Sequence, residues 1–107
     1  MATEATVETY QGLVAEGTVL VDFWGPRCAP CLALMPAVER LEQQYGGGFR
    51  LVKVNASENR QICRDLKVFG LPTFVLYRDG QEVRRLTGNP SAAEIQAAVT
   101  ELVEGGD

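Results

Sequence analysis

The stretch that decides the fold is VDFWGPRCAPC, residues 21–31. An apolar run that contains Asp22 leads through Gly-Pro-Arg to Cys28 and Cys31. A β-rich apolar run that is too short for a helix predicts a buried strand. Pro30 fits the first turn of a helix, where a missing N–H loses no hydrogen bond. The stretch therefore predicts a strand that leads directly into a helix opening with two cysteines.

On either side of this stretch the sequence alternates helix and strand patterns. Apolar residues at i, i+3, i+4 and i+7 indicate helices, and Asp79-Gly80 between two β-rich runs indicates a hairpin. Ser91 and Glu94 open the last helix with the pattern of a capping box. The predicted order is a helix over residues 7–15, a strand over 18–24, a helix from the cysteines to Tyr45, a strand over 49–55, a helix over 58–66, two strands around Asp79-Gly80 and a final helix after Ser91.

This order predicts an α/β fold in a single domain over residues 1–107. Strands separated by helices imply parallel crossovers, and the hairpin adds an antiparallel pair. We therefore expect a mixed central sheet of about four strands that is flanked by helices on both faces. At 107 residues the chain is long enough to bury a core without metal or disulfide support.

The charge balance excludes two classes of partner. The net charge is −4 and no Lys/Arg cluster is present, so the basic surface needed for nucleic acids or anionic membranes is lacking. The polar, acidic start is unlike a signal peptide, and no apolar run approaches the roughly 20 residues of a membrane span. We therefore expect a cytoplasmic protein, most simply a monomer.

The spacing of Cys28 and Cys31 indicates redox chemistry. A helix N-terminus favours the thiolate, so Cys28 would be the reactive sulfur and Cys31, one turn further on, would be close enough to attack it. Two alternatives are a zinc half-site and a pair of inert core cysteines. Zinc would need further ligands, but the chain has no histidine and no second cysteine pair. The third cysteine, Cys63, fits a buried small side chain or a regulatory thiol.

Asp22 lies in the most strand-like segment of the chain. A buried, unpaired carboxylate is costly, so the group would keep a raised pKa and could take a proton from Cys31. Lys53, in the next strand, is the obvious charge to pair with it. The alternative is that Asp22 faces solvent at a sheet edge and Lys53 extends into water. Glu39 and three other acidic residues most simply mark solvated helix faces, the others being Glu42, Glu101 and Glu104.

In order and spacing, VDFWGPRCAPC, LVKVN, GLPTFVLYRDGQ and LTG resemble the thioredoxin family from about residue 10 onward. The resemblance implies a thioredoxin fold whose N-terminal strand is short or missing here. It implies that Cys28 is the nucleophile and Cys31 the resolving thiol. By the same resemblance Asp22 is the buried acid and base, tuned by Lys53, and no metal is needed.

The resemblance also implies a substrate surface. Pro72 matches a cis-proline opposite the cysteines, where the backbone of Leu71 pairs with substrate, and Gly88 lies beside the same surface. Trp24 packs next to the active-site loop, although a plain core aromatic would fit its position equally well. Gly88 can also be a simple strand-end turn.

One departure from the family pattern lies in the motif itself. The family usually has Trp-Cys-Gly-Pro-Cys, whereas this chain has Arg27, Cys28, Ala29, Pro30 and Cys31. A fixed positive charge at Arg27 should stabilise the Cys28 thiolate and make the disulfide more oxidising. The alternative is that Arg27 points into water and changes little.

The function that the resemblance implies is reduction of protein disulfides through a reversible Cys28–Cys31 disulfide, with no other cofactor bound. The implied partners are disulfide-containing proteins and a thioredoxin reductase, either NADPH- or ferredoxin-linked. Two alternatives stay open. One is a specialised member of the family with an unusual reductase or a dedicated partner, as Arg27 suggests. The other is a binding scaffold or chaperone in which redox chemistry is secondary.

Overall fold

A computed structural model of the chain describes residues 2–105. The predicted element order is confirmed from the first helix onward, and a two-residue strand precedes it, so the sheet has five strands and its N-terminal strand is short. No helix within residues 2–105 is long and apolar enough to cross a membrane. The elements are β1 (Thr3–Glu4), α1 (Tyr10–Val14), β2 (Thr18–Trp24), α2 (Ala29–Tyr45), β3 (Arg50–Asn55), α3 (Arg60–Leu66), β4 (Thr73–Arg78), β5 (Gln81–Leu86) and α4 (Ala92–Glu104).

The sheet is mixed, with strand order β1-β3-β2-β4-β5. Strands β1, β3 and β2 are parallel, while β4 runs antiparallel to both β2 and β5. The hairpin between β4 and β5 turns at Asp79 and Gly80, whose φ angles of 50° and 85° suit a tight two-residue turn. Strand β2 is therefore central, and its carboxyl end leads straight to the cysteines.

Helices cover both faces of the sheet, as predicted. Because side chains alternate along a strand, Val21 and Phe23 of β2 point to one face and Leu20 to the other. The first face packs against α1 and α3, and the second against α2 and α4. Asp22 shares the face of Leu20, so it lies on the side of the sheet that α2 covers. Cys63, on α3, is half-buried on the opposite side.

Helix α4 is fixed at both ends. The Ser91 hydroxyl accepts the N–H of Glu94 over 3.1 Å, and the Glu94 carboxylate accepts the N–H of Ser91 over 2.8 Å. Such a cap contributes about 1 kcal/mol to helix stability. At the other end, the Arg78 guanidinium donates to the carbonyl of Leu102 over 2.9 Å. The bond from Arg78 ties the helix to β4, on the face of the sheet that α2 also covers.

Candidate active site

Cys28 and Cys31 form a disulfide at the point where β2 passes into α2. Their Cα atoms lie 5.2 Å apart. Cys28 is the N-cap residue of α2 and is partly exposed, whereas Cys31 lies in the first turn and is 1% exposed. A group that approaches from solvent therefore meets the sulfur of Cys28 first.

The start of α2 favours negative charge on Cys28. The backbone N–H of Cys31 donates to the Cys28 sulfur over 3.2 Å, and the partial positive charge of the helix N-terminus lies at the same place. Pro30 is the second helical residue, where its lack of an N–H leaves no bond unmade. Ala29 and Pro30 are both exposed beside the disulfide. Once the disulfide is reduced, the Cys31 N–H and the helix N-terminus favour the thiolate form of Cys28.

Asp22 is a buried carboxyl group on the α2 side of the sheet. It is 1% exposed, and its Oδ1 has no hydrogen-bond partner among residues 2–105. Burial raises the pKa of Asp22 from 3.8 to about 7; the charge of Lys53 lowers it, while Glu4 and Glu39 raise it further. The alternative of a solvent-facing Asp22 is therefore wrong. Near neutral pH this carboxyl group can both accept and release a proton.

Lys53 lies beside Asp22 on the neighbouring strand but bonds to a different carboxylate. The two residues are register partners in the parallel pair of β2 and β3. The Lys53 amino group, however, donates to Glu39 Oε2 on α2 over 2.6 Å. The Glu39 side chain is 46% exposed, so it lies on a solvated helix face as predicted, but its carboxylate also reaches the side chain that the sequence pairs with Asp22. Lys53 thus acts on Asp22 through its charge, without a hydrogen bond.

The Lys53–Glu39 ion pair predicts the effect of Glu39→Gln. Removing the Glu39 charge takes away one group that raises the pKa of Asp22, and it frees the Lys53 amino group to turn towards the Asp22 carboxylate. We expect the titration midpoint of Asp22, followed by NMR of its carboxyl carbon, to fall below about 7. Glu104→Gln, which changes an exposed acid at the end of α4, is the matched control and should leave the midpoint in place. An unchanged midpoint in Glu39→Gln would contradict this account.

The Leu71–Pro72 segment forms the other side of the site. The peptide bond between the two residues is cis, as the resemblance implies. A Cβ built on Gly25, three residues before Cys28, would lie 3.2 Å from Leu71 Cδ1 and 3.9 Å from Cys28 Cβ. Leu71 therefore packs against the loop that carries Cys28. Gly88 has a φ of 72° and lines, with Leu71 and Pro72, a cavity of about 360 Å³.

Trp24 and Arg27 flank the disulfide differently. Trp24 ends β2 and is half-buried, and within residues 2–105 its Nε1 is buried without a hydrogen-bond partner. Arg27 is exposed and lines a cavity that also includes Cys28. Its position fits both open readings, a charge near the sulfur and a side chain in water. No three Cys, Asp or Glu side chains in the described part of the chain are grouped as a metal site would require.

Sequence reasoning missed three residues near this site. Glu39 could have been found from the helical spacing that places it on the underside of α2, close to the lysine of β3. Arg60 lines the cavity beside Cys28, and Phe69 stands 89% exposed two residues before Leu71. Neither of these two carries a local signal, because their positions depend on how separate loops meet.

Comparison with known proteins agrees with the geometry. The family model for thioredoxin matches residues 1–101. Thioredoxin from Acetoanaerobium sticklandii is 39% identical over 103 residues, covering 94% of this chain and 98% of that protein. Thioredoxin from Bacillus subtilis is 32% identical over 96 residues, covering 90% and 92%.

Solved structures agree in fold as well. A mutant thioredoxin from Halobacterium salinarum superposes with a TM-score of 0.87 at 27% identity, covering 96% of this chain and 91% of that chain. Oxidised mitochondrial thioredoxin 3 from Saccharomyces cerevisiae gives 0.87 at 27%, covering 94% and 95%. Cys28 and Cys31 are paired at the start of a helix, the sheet has this topology, and the family model and the relatives are thioredoxins. The chain therefore belongs to the thioredoxin family of thiol-disulfide oxidoreductases.

Proposed function

We propose that this protein is a general reductase of protein disulfides. The observation that carries the proposal is the Cys28–Cys31 disulfide, with its outer sulfur accessible at the start of α2. The Cys28 thiolate attacks one substrate sulfur, so the substrate S–S bond breaks, a mixed disulfide forms and one substrate thiolate leaves. Cys31 then attacks Cys28, which releases the second substrate thiolate. Two electrons pass to the substrate, and the protein is left with its disulfide.

Asp22 is the proposed acid and base in the second step. Cys31 must lose its proton before it attacks, and a buried carboxyl group with a pKa of about 7 is suited to take it. The position of Asp22 on the α2 side of the sheet supports this role, since α2 carries Cys31. Lys53 tunes the group through its charge, and Glu39 holds the Lys53 amino group in place.

Substrate is proposed to bind across Leu71, Pro72 and Gly88. Leu71 is 36% exposed, and no residue in the described part of the chain takes its backbone N–H or carbonyl. An extended substrate segment could pair with this backbone while its disulfide faces Cys28. Trp24 would support the loop from below, and the exposed pair Ala29 and Pro30 would border the incoming disulfide.

We further propose that the protein works as a cytoplasmic monomer and that a thioredoxin reductase, NADPH- or ferredoxin-linked, returns it to the dithiol form. One observation favours a second candidate, a specialised member of the family with its own reductase or partner. Arg27 is exposed beside Cys28, where the family usually presents an aromatic side chain. A reductase that docks on that aromatic ring would meet a charged group here.

A turnover assay separates the two candidates. The protein is mixed with a disulfide-linked protein substrate and reduced in parallel by NADPH with thioredoxin reductase, by ferredoxin with its reductase, and by dithiothreitol. A general reductase turns over with at least one of the two enzymatic donors. Turnover with dithiothreitol alone would favour the specialised candidate. If the fully reduced protein leaves the substrate oxidised even at equal concentration, the proposal of a disulfide reductase is wrong.

A further inference from the structure

A cavity of about 730 Å³ opens directly beside the reactive sulfur. Two chain segments that are distant in sequence form its walls: the loop before α2, and the connection from β3 to α3. Leu71 closes one side of it with an apolar surface. We call this cavity the arginine pocket. The residues that line it include Gly25, Arg27, Cys28, Ser57, Arg60 and Leu71.

The arginine pocket is positively charged on a chain whose net charge is −4. Arg27 and Arg60 supply the charge, and no carboxylate lines the pocket. Both arginines are exposed, and among residues 2–105 neither forms an ion pair or a side-chain hydrogen bond. Two guanidinium groups are therefore available to an incoming ligand next to Cys28.

The position of Arg60 is not explained by the stability of its own helix. Arg60 is the first residue of α3, where the partial positive charge of the helix end disfavours a basic side chain. The wall that presents it is well ordered by hydrogen bonds. Asn55 Oδ1 accepts the N–H of Ser57 over 3.1 Å and its hydroxyl over 2.7 Å, and the Asn59 side chain donates to the carbonyl of Asn55 over 3.0 Å. The loop before Arg60 is therefore fixed, although the charge of Arg60 is unfavourable for its own helix. A residue that disfavours its own helix in this way indicates a role in binding a ligand.

We propose that the arginine pocket selects disulfides flanked by carboxylates, so that acidic disulfide segments are the preferred substrates of this enzyme. The inference rests on the proposed reductase function and adds a substrate class to it. Arginine binds a carboxylate through two parallel N–H donors, which gives orientation as well as attraction. A carboxylate held by Arg60 would place the neighbouring substrate sulfur against Cys28. The same chemistry is offered by an acidic protein segment and by a small anionic disulfide such as glutathione disulfide.

The chemical step is the exchange described above. The Cys28 thiolate forms a bond to the nearer substrate sulfur, the substrate S–S bond breaks, and the leaving thiolate takes up a proton from solvent. Cys31 completes the transfer of two electrons. The arginines take no part in the electron transfer and act by holding the flanking carboxylate while the sulfurs align.

The test uses fully reduced protein in single-turnover reactions. Three fluorescent disulfide peptides are compared that differ only in the two residues beside the cystine, which are Glu, Gln or Lys, and glutathione disulfide is a fourth substrate. Because an exposed ion pair contributes up to about 1 kcal/mol, the acidic peptide should react about fivefold faster than the Gln peptide at low salt. The advantage should shrink at 0.5 M salt, where the charges are screened over about 4 Å.

Variants at two arginines of α3 make the test specific. Arg60→Gln should reduce the preference for the acidic peptide to less than about twofold, and Arg60→Glu should reverse it in favour of the Lys peptide. Arg64→Gln, a change of the same type on the same helix but outside the pocket, should leave the preference unchanged. A parallel loss of rate with glutathione disulfide in Arg60→Gln would assign the pocket to small anionic disulfides as well. A glutathione disulfide rate that is unaffected would restrict the pocket to acidic protein segments.

Two outcomes would overturn the inference, and they are distinct. Equal rates for the Glu, Gln and Lys peptides in the unaltered protein would show that the enzyme reduces disulfides without charge selection. The proposed function would then stand while the inference fails. If none of the peptides is reduced, the reductase proposal itself fails and takes the inference with it.

Discussion

Cys28→Ser should abolish disulfide reduction, and Cys31→Ser should arrest it halfway. A serine hydroxyl is not ionised near neutral pH, so the loss of the Cys28 sulfur removes the nucleophile and should lower the rate by about a thousandfold or more. Cys31→Ser keeps the outer sulfur but cannot release the substrate. We expect the mixed disulfide between Cys28 and substrate to accumulate, and mass spectrometry of the intact adduct measures it directly.

Cys63→Ser is the matched control for both variants. Cys63 is the remaining cysteine of the chain and lies on the other side of the sheet, so its removal should change neither the rate nor the adduct. If Cys28→Ser retained turnover while Cys31→Ser lost it, the assignment of the two sulfurs would be reversed. Retained binding of a partner by Cys28→Ser, without reduction of any substrate by the unaltered protein, would instead favour the scaffold alternative.

Asp22→Asn should stabilise the folded protein above neutral pH. The folded state holds the Asp22 proton up to a pKa of about 7, whereas the unfolded chain releases it near the ordinary value of 3.8. Between these values the folded state binds more protons than the unfolded state, so the free energy of unfolding falls as pH rises. The difference in pKa corresponds to about 4 kcal/mol, which is lost in full above pH 7. Asparagine carries no charge and avoids this loss.

Denaturant unfolding of the oxidised protein at pH 5 and pH 8.5 measures the effect. We expect the unaltered protein to lose stability between the two values, while Asp22→Asn changes much less and is the more stable form at pH 8.5. Asp65→Asn, an exposed acid on α3, serves as control and should follow the unaltered protein. A variant less stable than the unaltered protein at pH 8.5 would show that Asp22 gains more from its neighbours than burial costs it. Asp22→Asn should also resolve the mixed disulfide more slowly, because it removes the proposed proton acceptor of Cys31.

The part of the fold around the cysteines is predictable from the sequence because its signals are local. Strand β2 has the predicted bounds, and the hairpin turns at Asp79 and Gly80 as predicted, since both features depend on a few adjacent residues. The ends of α1 and α3 are less predictable. Both helices begin later than the apolar spacing suggests, because polar side chains close turns just before them: Thr6 and Thr9 before α1, and Asn55, Ser57 and Asn59 before α3. The two-residue β1 has no apolar pattern of its own and pairs with β3 only in the folded chain.

The candidate site divides in the same way. Cys28, Cys31 and Asp22 could be predicted from one contiguous stretch and from the cost of burying a carboxyl group. The bond from Lys53 to Glu39 could not, because a charged side chain on β3 has acidic neighbours on both β1 and α2, and only packing selects between them. Arg60 is recognisable only when the loop before α3 is seen to meet the loop before α2.

The placement of Cys63 limits which cysteines can take part in disulfide exchange. Cys63 packs on the face of the sheet that α1 and α3 cover, whereas the Cys28–Cys31 pair belongs to the start of α2, which covers the other face. Burial also raises the pKa of Cys63, which keeps its sulfur protonated and slow to exchange. A third sulfur within reach of the mixed disulfide could take over the bond to the substrate, or could form a disulfide with Cys28 in place of Cys31. Because Cys63 is kept out of the exchange in this way, each cycle uses only Cys28 and Cys31 and transfers two electrons.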